Sequence, residues 1–230
     1  MVSITTLVSL ALTAPLMASA LVMKRAECNV NNLAIPNLAG LPAPTAKGAF
    51  VGIALGTQNY TCTSAGVYTN VGALAELFDI SCLTKSPFFE ALPDILDAAW
   101  QAAPPSITAP KIIQFLHSIS SPEILGQHYY VTNPITGSGI NPKWDFTSQG
   151  ATAGNKDAFV VAAKTAGIAA PTGTANDVDW VFLSAIQGKL ASQVYRTDTR
   201  GGQPPATCDP ASDPIVVKYV AKYWGFGSTL

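Results

Sequence analysis

Short segments in which apolar and polar residues alternate, each closed by glycine or proline, leave this chain little choice but β structure. Successive side chains of a strand point to opposite faces, so alternation with period two marks a strand with one buried face. Residues 50–56 and 57–62 read as two strands broken at Gly56, with Gln58, Tyr60 and Cys62 on one face and Thr57, Asn59 and Thr61 on the other. The same texture recurs over 127–132, 143–147, 157–165, 178–185, 189–197 and 215–224. In the last of these, Val217, Tyr219, Ala221 and Tyr223 share a face. Residues 71–78 fit either a strand or a helical turn, and 157–165 a strand in preference to a short helix. Many short strands between turn signals predict an all-β or β-dominated fold, an antiparallel sandwich or barrel.

One stretch departs from this pattern. Phe88, Phe89, Leu92, Ile95, Leu96 and Trp100 recur at helical spacing, Pro93 suits a first helical turn, and Ala103-Pro104-Pro105 ends it. Ile112, Ile113, Phe115, Leu116 and Ile119 fit a second short helix or an apolar strand. The β-dominated domain is therefore expected to carry a short helical insertion near 87–119.

The amino-terminal end reads as a leader. Residues 4–17 are apolar but fall short of the ~20 needed to span a bilayer, and they end in Ala18-Ser19-Ala20, the small residues that signal peptidase requires. Residues 1–20 are expected to be a signal peptide, and 21–25 a short pro-segment ending in the dibasic pair Lys24-Arg25. Cleavage there would start the chain at Ala26 and leave 11 basic residues against 14 acidic, a net charge of −3. Residues 26–46, with Pro36, Pro42 and Pro44, form an irregular lead. Residues 47–230 form a single domain.

Composition narrows the setting. Charged residues make up only 12% of the chain, against 18 glycines and 17 prolines, which suits a loop-rich extracellular β domain. The near-neutral balance gives no electrostatic footprint for nucleic acid or for an anionic lipid surface. No nucleic acid and, after signal cleavage, no membrane partner is expected. Cys28, Cys62, Cys82 and Cys208 predict two disulfides in any of three pairings. None has the close spacing of a zinc site, so no metal is expected. Asn59-Tyr60-Thr61 is a glycosylation sequon, which makes Asn59 a candidate glycan site.

The residues that carry chemistry are few. Of the two histidines, His117 lies in the apolar run of the insertion and reads as a packed helix residue, whereas His128 opens a strand and is the better proton shuttle. Asp145, Asp157, Asp177, Asp179 and Asp198 offer carboxylates for hydrolysis, but no pair is singled out by spacing. The signatures of serine hydrolases and zinc proteases are missing from the sequence. Aromatic and amide side chains on strands suit a polyhydroxylated ligand, stacking on its C–H faces and bonding its hydroxyls. Trp144, Tyr129 and Gln58 are the candidate ligand-binding residues, and Trp144, flanked by Lys143 and Asp145, is expected to be exposed. Trp180 reads as core, and Arg196 as tied to a carboxylate within the sheet.

Several motifs in a fixed order carry a family resemblance. They are Gly56-Thr57-Gln58-Asn59-Tyr60-Thr61-Cys62, then Gly126-Gln127-His128-Tyr129, Asn133-Pro134 and Pro142-Lys143-Trp144-Asp145. Further on come Val178-Asp179-Trp180-Val181-Phe182-Leu183, the run from Val194-Tyr195-Arg196 to Ala206-Thr207-Cys208, and Lys218-Tyr219-Val220-Ala221-Lys222-Tyr223-Trp224. Over most of residues 40–226 the chain resembles the secreted family catalogued as domain of unknown function 3455, found in filamentous fungi and bacteria. It departs from that pattern between His128 and Trp144, where residues 135–140 separate pieces that usually stand closer. The resemblance implies a fold but no established chemistry. Fungal members are often labelled malate dehydrogenase, a label these residues do not support. The nearest glycine cluster, Gly137-Ser138-Gly139-Ile140-Asn141-Pro142, ends in proline and leads into no helix to hold a pyrophosphate. No cofactor is expected.

The reading that follows is a secreted, non-catalytic protein associated with cell-wall or matrix polysaccharide. Two alternatives stand beside it: a hydrolase using His128 with a nearby aspartate such as Asp145, and a host-directed secreted effector.

Overall fold

The computed structural model describes residues 29–119 and 121–230. The expected signal peptide, the pro-segment and Cys28 lie outside the described residues. Eight strands, β1 (Gly48–Cys62), β2 (Tyr68–Asp79), β3 (Ile124–Thr132), β4 (Ile140–Asp145), β5 (Phe159–Ile168), β6 (Trp180–Gly188), β7 (Gln193–Gly201) and β8 (Ile215–Phe226), pair antiparallel in chain order. β8 then returns to β1 along its full length, from Gly48↔Phe226 to Tyr60↔Ile215, and closes a barrel. Closure removes the unpaired sheet edges that an open sandwich would keep. Gly56 does not break β1. It sits mid-strand where the Leu74 carbonyl and Ala75 of β2 come too close for a side chain.

Both surfaces of the wall bury apolar residues. Inside, Phe50 and Phe146 meet edge to face at 5.0 Å and, with Leu77, Leu125 and Val160, plug one end of the barrel. Phe50 fits only because Gly225 of β8 has no side chain, since a Cβ there would collide with the ring. Outside, Val51, Ile53, Tyr195, Val220, Trp224 and Phe226 form a second core. It is covered by Leu33, Ile35, Leu38 and Leu41 of the amino-terminal lead and by the β2–β3 connection. That connection holds two helices, α1 (Leu92–Ala102) and α2 (Ala109–Ile119), the second resolving the helix-or-strand alternative in favour of helix.

Polar side chains pin α1 to the barrel. The Trp100 indole donates to the Gly56 carbonyl at 2.8 Å. Lys218 of β8 donates to the Trp100 and Ala103 carbonyls at 2.7 and 2.8 Å, a cation satisfying the open carbonyl end of the helix. Lys222, fully buried beneath the Phe89 ring, meets Glu90 at 3.2 Å and Asp198 at 3.6 Å. At the end of the barrel opposite the plug, a disulfide joins Cys62 of β1 to Cys208 in the β7–β8 connection, and Cys82 is disulfide-bonded as well. Among the described residues no helix is long and apolar enough to cross a membrane.

Candidate functional site

Side chains that point inward near the unplugged end do not fill the barrel. They leave a cavity of about 440 Å³. Every strand from β1 to β8 contributes to its wall, mostly by alternation: Gln58 and Tyr60 continue the inward row of Phe50 and Ala54, and Arg196 follows Val194. The floor is aromatic. His128 stacks on Trp144 with ring centres 4.6 Å apart and planes 17° from parallel, and Tyr223 closes on both, at 5.2 Å and 5.3 Å.

Hydrogen bonding is uneven around this space. His128 Nδ1 bonds the Lys143 carbonyl at 3.0 Å, so it carries the proton and leaves Nε2 as the acceptor. Burial holds the imidazole well below its ordinary value, at about 3, against the pull of that carbonyl. Tyr60 donates to the Gly202 carbonyl at 2.7 Å, and Gln58 Oε1 accepts from Asn70 at 3.1 Å. The Gln58 amide nitrogen and the Trp144 indole nitrogen are buried with no partner at all. Arg196 Nε and Nη2 both donate to the Asp179 carbonyl, at 3.0 and 2.8 Å. Among the described residues no carboxylate forms an ion pair with Arg196, which corrects the expectation of a carboxylate partner within the sheet. Burial pushes the Tyr130 and Tyr223 hydroxyls up, so both stay neutral beside the guanidinium, from which Tyr223 accepts.

The sequence candidates divide between the two faces of the wall. Gln58, His128 and Trp144 come together in the cavity. Trp144, expected to be exposed, is only 1% accessible, because its residue number places it in phase with the inward row of β4. The inserted residues 135–140 lie at the tip of the β3–β4 hairpin, and below them His128 and Trp144 are direct cross-strand partners. Tyr129 and Asp145 point outward. Tyr129 donates to Asp145 at 2.7 Å, and Lys143 pairs with the same carboxylate at 2.8 Å. Burial, which raises the Asp145 carboxyl, is outweighed by bonds from Lys143, Thr147 and Tyr129, which hold it at about 2. His128 and Asp145 thus stand on opposite sides of the wall, and the acid–base pair proposed from sequence does not form. The Asn59 side chain is on the outer face toward the end of β1, its Oδ1 accepting from Thr57.

Arg196, Tyr60, Tyr130 and Tyr223 also line the cavity, and none of them is among the ligand-binding residues expected from the sequence. The signal was present in phase alone: a polar side chain repeating in register with an apolar inward row. Gly137-Ser138-Gly139 turns between antiparallel strands, so the βαβ frame of a dinucleotide site is missing there. Among the described residues, no group of three or more His, Cys, Asp or Glu side chains is placed to hold a metal ion.

No curated protein and no solved structure gives a significant match to the chain. The profile of one family, described as "Protein of unknown function (DUF3455)", matches residues 42–227, from the lead before β1 to the end of β8. An eight-stranded barrel with a lined interior cavity, matched across almost its whole length, makes this chain a member of the DUF3455 family.

Proposed function

We propose that this is a secreted, non-catalytic binding protein that associates with cell-wall or matrix polysaccharide by taking a chain end into the barrel. Eight-stranded barrels have interiors wide enough for one small ligand, and about 440 Å³ is within the range of small-molecule sites. The observation that carries the reading is the pair of buried, partnerless donors, Gln58 Nε2 and Trp144 Nε1, on the wall of an aromatic cavity. A buried donor without an acceptor costs about 1–3 kcal/mol. A ligand hydroxyl or carbonyl supplies that acceptor, and Tyr130, the part-buried aromatic of the cavity wall, supplies stacking surface for a sugar. The aromatics face inward, so the ligand is an end or a small oligosaccharide and not the flank of a long chain.

Co-sedimentation with insoluble chitin, β-glucan and cellulose, paired with calorimetry on the corresponding oligosaccharides, tests the reading. Saturable binding that weakens in Trp144→Phe, which keeps a ring and removes the N–H, is the expected result. Folded protein that is retained by no polymer and binds no oligosaccharide overturns it.

A further inference from the structure

The charge inside the barrel is out of balance. Two cations, Lys164 and Arg196, line the cavity, against one carboxylate, Asp179. Asp179 is half-exposed and lies 3.8 Å from Lys164, which matches one of the two. Arg196 sits deeper and receives only neutral groups: the Asp179 backbone carbonyl and the hydroxyls of Tyr130, Tyr219 and Tyr223. His128 is neutral at ordinary pH, its low titration point making it no rival cation. The cavity therefore carries one unneutralised positive charge inside a protein whose overall charge is −1. Arg196 is part-buried, and a cation partly withdrawn from water without a counter-charge favours an anionic guest. Two of its five N–H donors face the Asp179 carbonyl, and the rest are left for the tyrosines and for a guest.

The donors around it tell the same story independently of charge. Gln58 Nε2 and Trp144 Nε1, both in residues no more than 2% accessible, have no acceptor. Both residues line the cavity, so its wall holds two N–H groups that have no acceptor. What completes it is a group that only accepts hydrogen bonds and carries a negative charge. We propose that the ligand is anchored by a carboxylate, received by Arg196 with Gln58 and Trp144, so that the saccharide taken into the barrel is a uronic acid or other sugar acid. This rests on the reading of the cavity as a saccharide-end site. A planar carboxylate suits the planar guanidinium fork and leaves the sugar ring to stack on Tyr130, the part-buried aromatic of the wall.

The test compares glucuronic and galacturonic acid with their methyl esters, with neutral glucose oligomers and with inorganic phosphate, by calorimetry on the purified protein. The esters remove the ligand's charge without altering the protein, so the comparison does not depend on a variant folding. Acids binding at least tenfold more tightly than their esters, with affinity falling as salt rises, support the proposal. Arg196→Gln, checked for an unchanged circular dichroism spectrum, is expected to bind acid and ester alike. Equal binding of acid and ester by the wild type overturns the carboxylate anchor while leaving a neutral saccharide site standing. Phosphate binding more tightly than either sugar acid overturns the choice of carboxylate. Binding of no sugar, charged or neutral, overturns both this inference and the saccharide reading beneath it.

Discussion

Glu76 and His128 are both buried, and burial moves their titrations in opposite directions. Glu76, outside the wall and under α2, accepts from Gln127 at 2.9 Å with His117 3.5 Å away, yet burial raises its carboxyl from 4.5 to about 7. The folded state then holds a proton that the unfolded chain releases. Stability from this group is full below pH 4.5 and is lost as pH rises to 7, on the order of 3 kcal/mol at about 1.4 kcal/mol per unit. His128 behaves inversely: with its folded value lowered from 6.5 to about 3, its stability is full above pH 6.5 and is lost as pH falls toward 3. Between pH 4.5 and 6.5 the two slopes oppose each other. Denaturant titrations at a series of pH values should show a wild-type profile flatter in that window than either variant's. Glu76→Gln should leave stability rising with pH, and His128→Gln should leave it falling. Parallel profiles for all three proteins would count against the assignment.

At the scale of elements, α1 depends on one residue of β8. Lys218→Met keeps the stem over Trp100 and removes both bonds to the helix-end carbonyls, and should cost about 1–2 kcal/mol in thermal unfolding. Gly225→Ala should cost more than about 2 kcal/mol, because the Phe50 ring at the plug has nowhere to retreat. By contrast, Ile135→Ser at the β3–β4 tip, 70% exposed, should change stability by less than about 0.5 kcal/mol. Seven of the eight strands were legible from period and turn residues, as was the helix ending at Ala103, whereas 71–78, open between strand and helical turn in the sequence, forms β2. Gly56 misled because a glycine that admits a neighbouring strand looks the same, in sequence, as one that ends its own. Trp144 misled because flanking charges describe only the outer face, while its own phase belongs to the inner one. Arg196 was unreadable as a lone cation, since whether a carboxylate stands opposite depends on strands distant in the chain.

For the molecule as a whole, the Cys62–Cys208 bridge spans 146 residues and ties the rim of the cavity together. Restricting so long a loop in the unfolded chain stabilises by about 3–5 kcal/mol. Cys62→Ser with Cys208→Ser should lower the denaturation midpoint accordingly and, by loosening the rim, weaken ligand binding as well. Calorimetry and denaturant titration on the same double variant would separate the two effects, and unchanged stability would refute the first. The pairing of β1 with β8 also sets an order in time. Tyr223, which closes the aromatic floor, arrives on the last strand, while Gln58 waits on the first. A ribosome delivering this chain therefore delivers no partial receptor: until β8 has been made and has found β1, there is nothing for a ligand to enter.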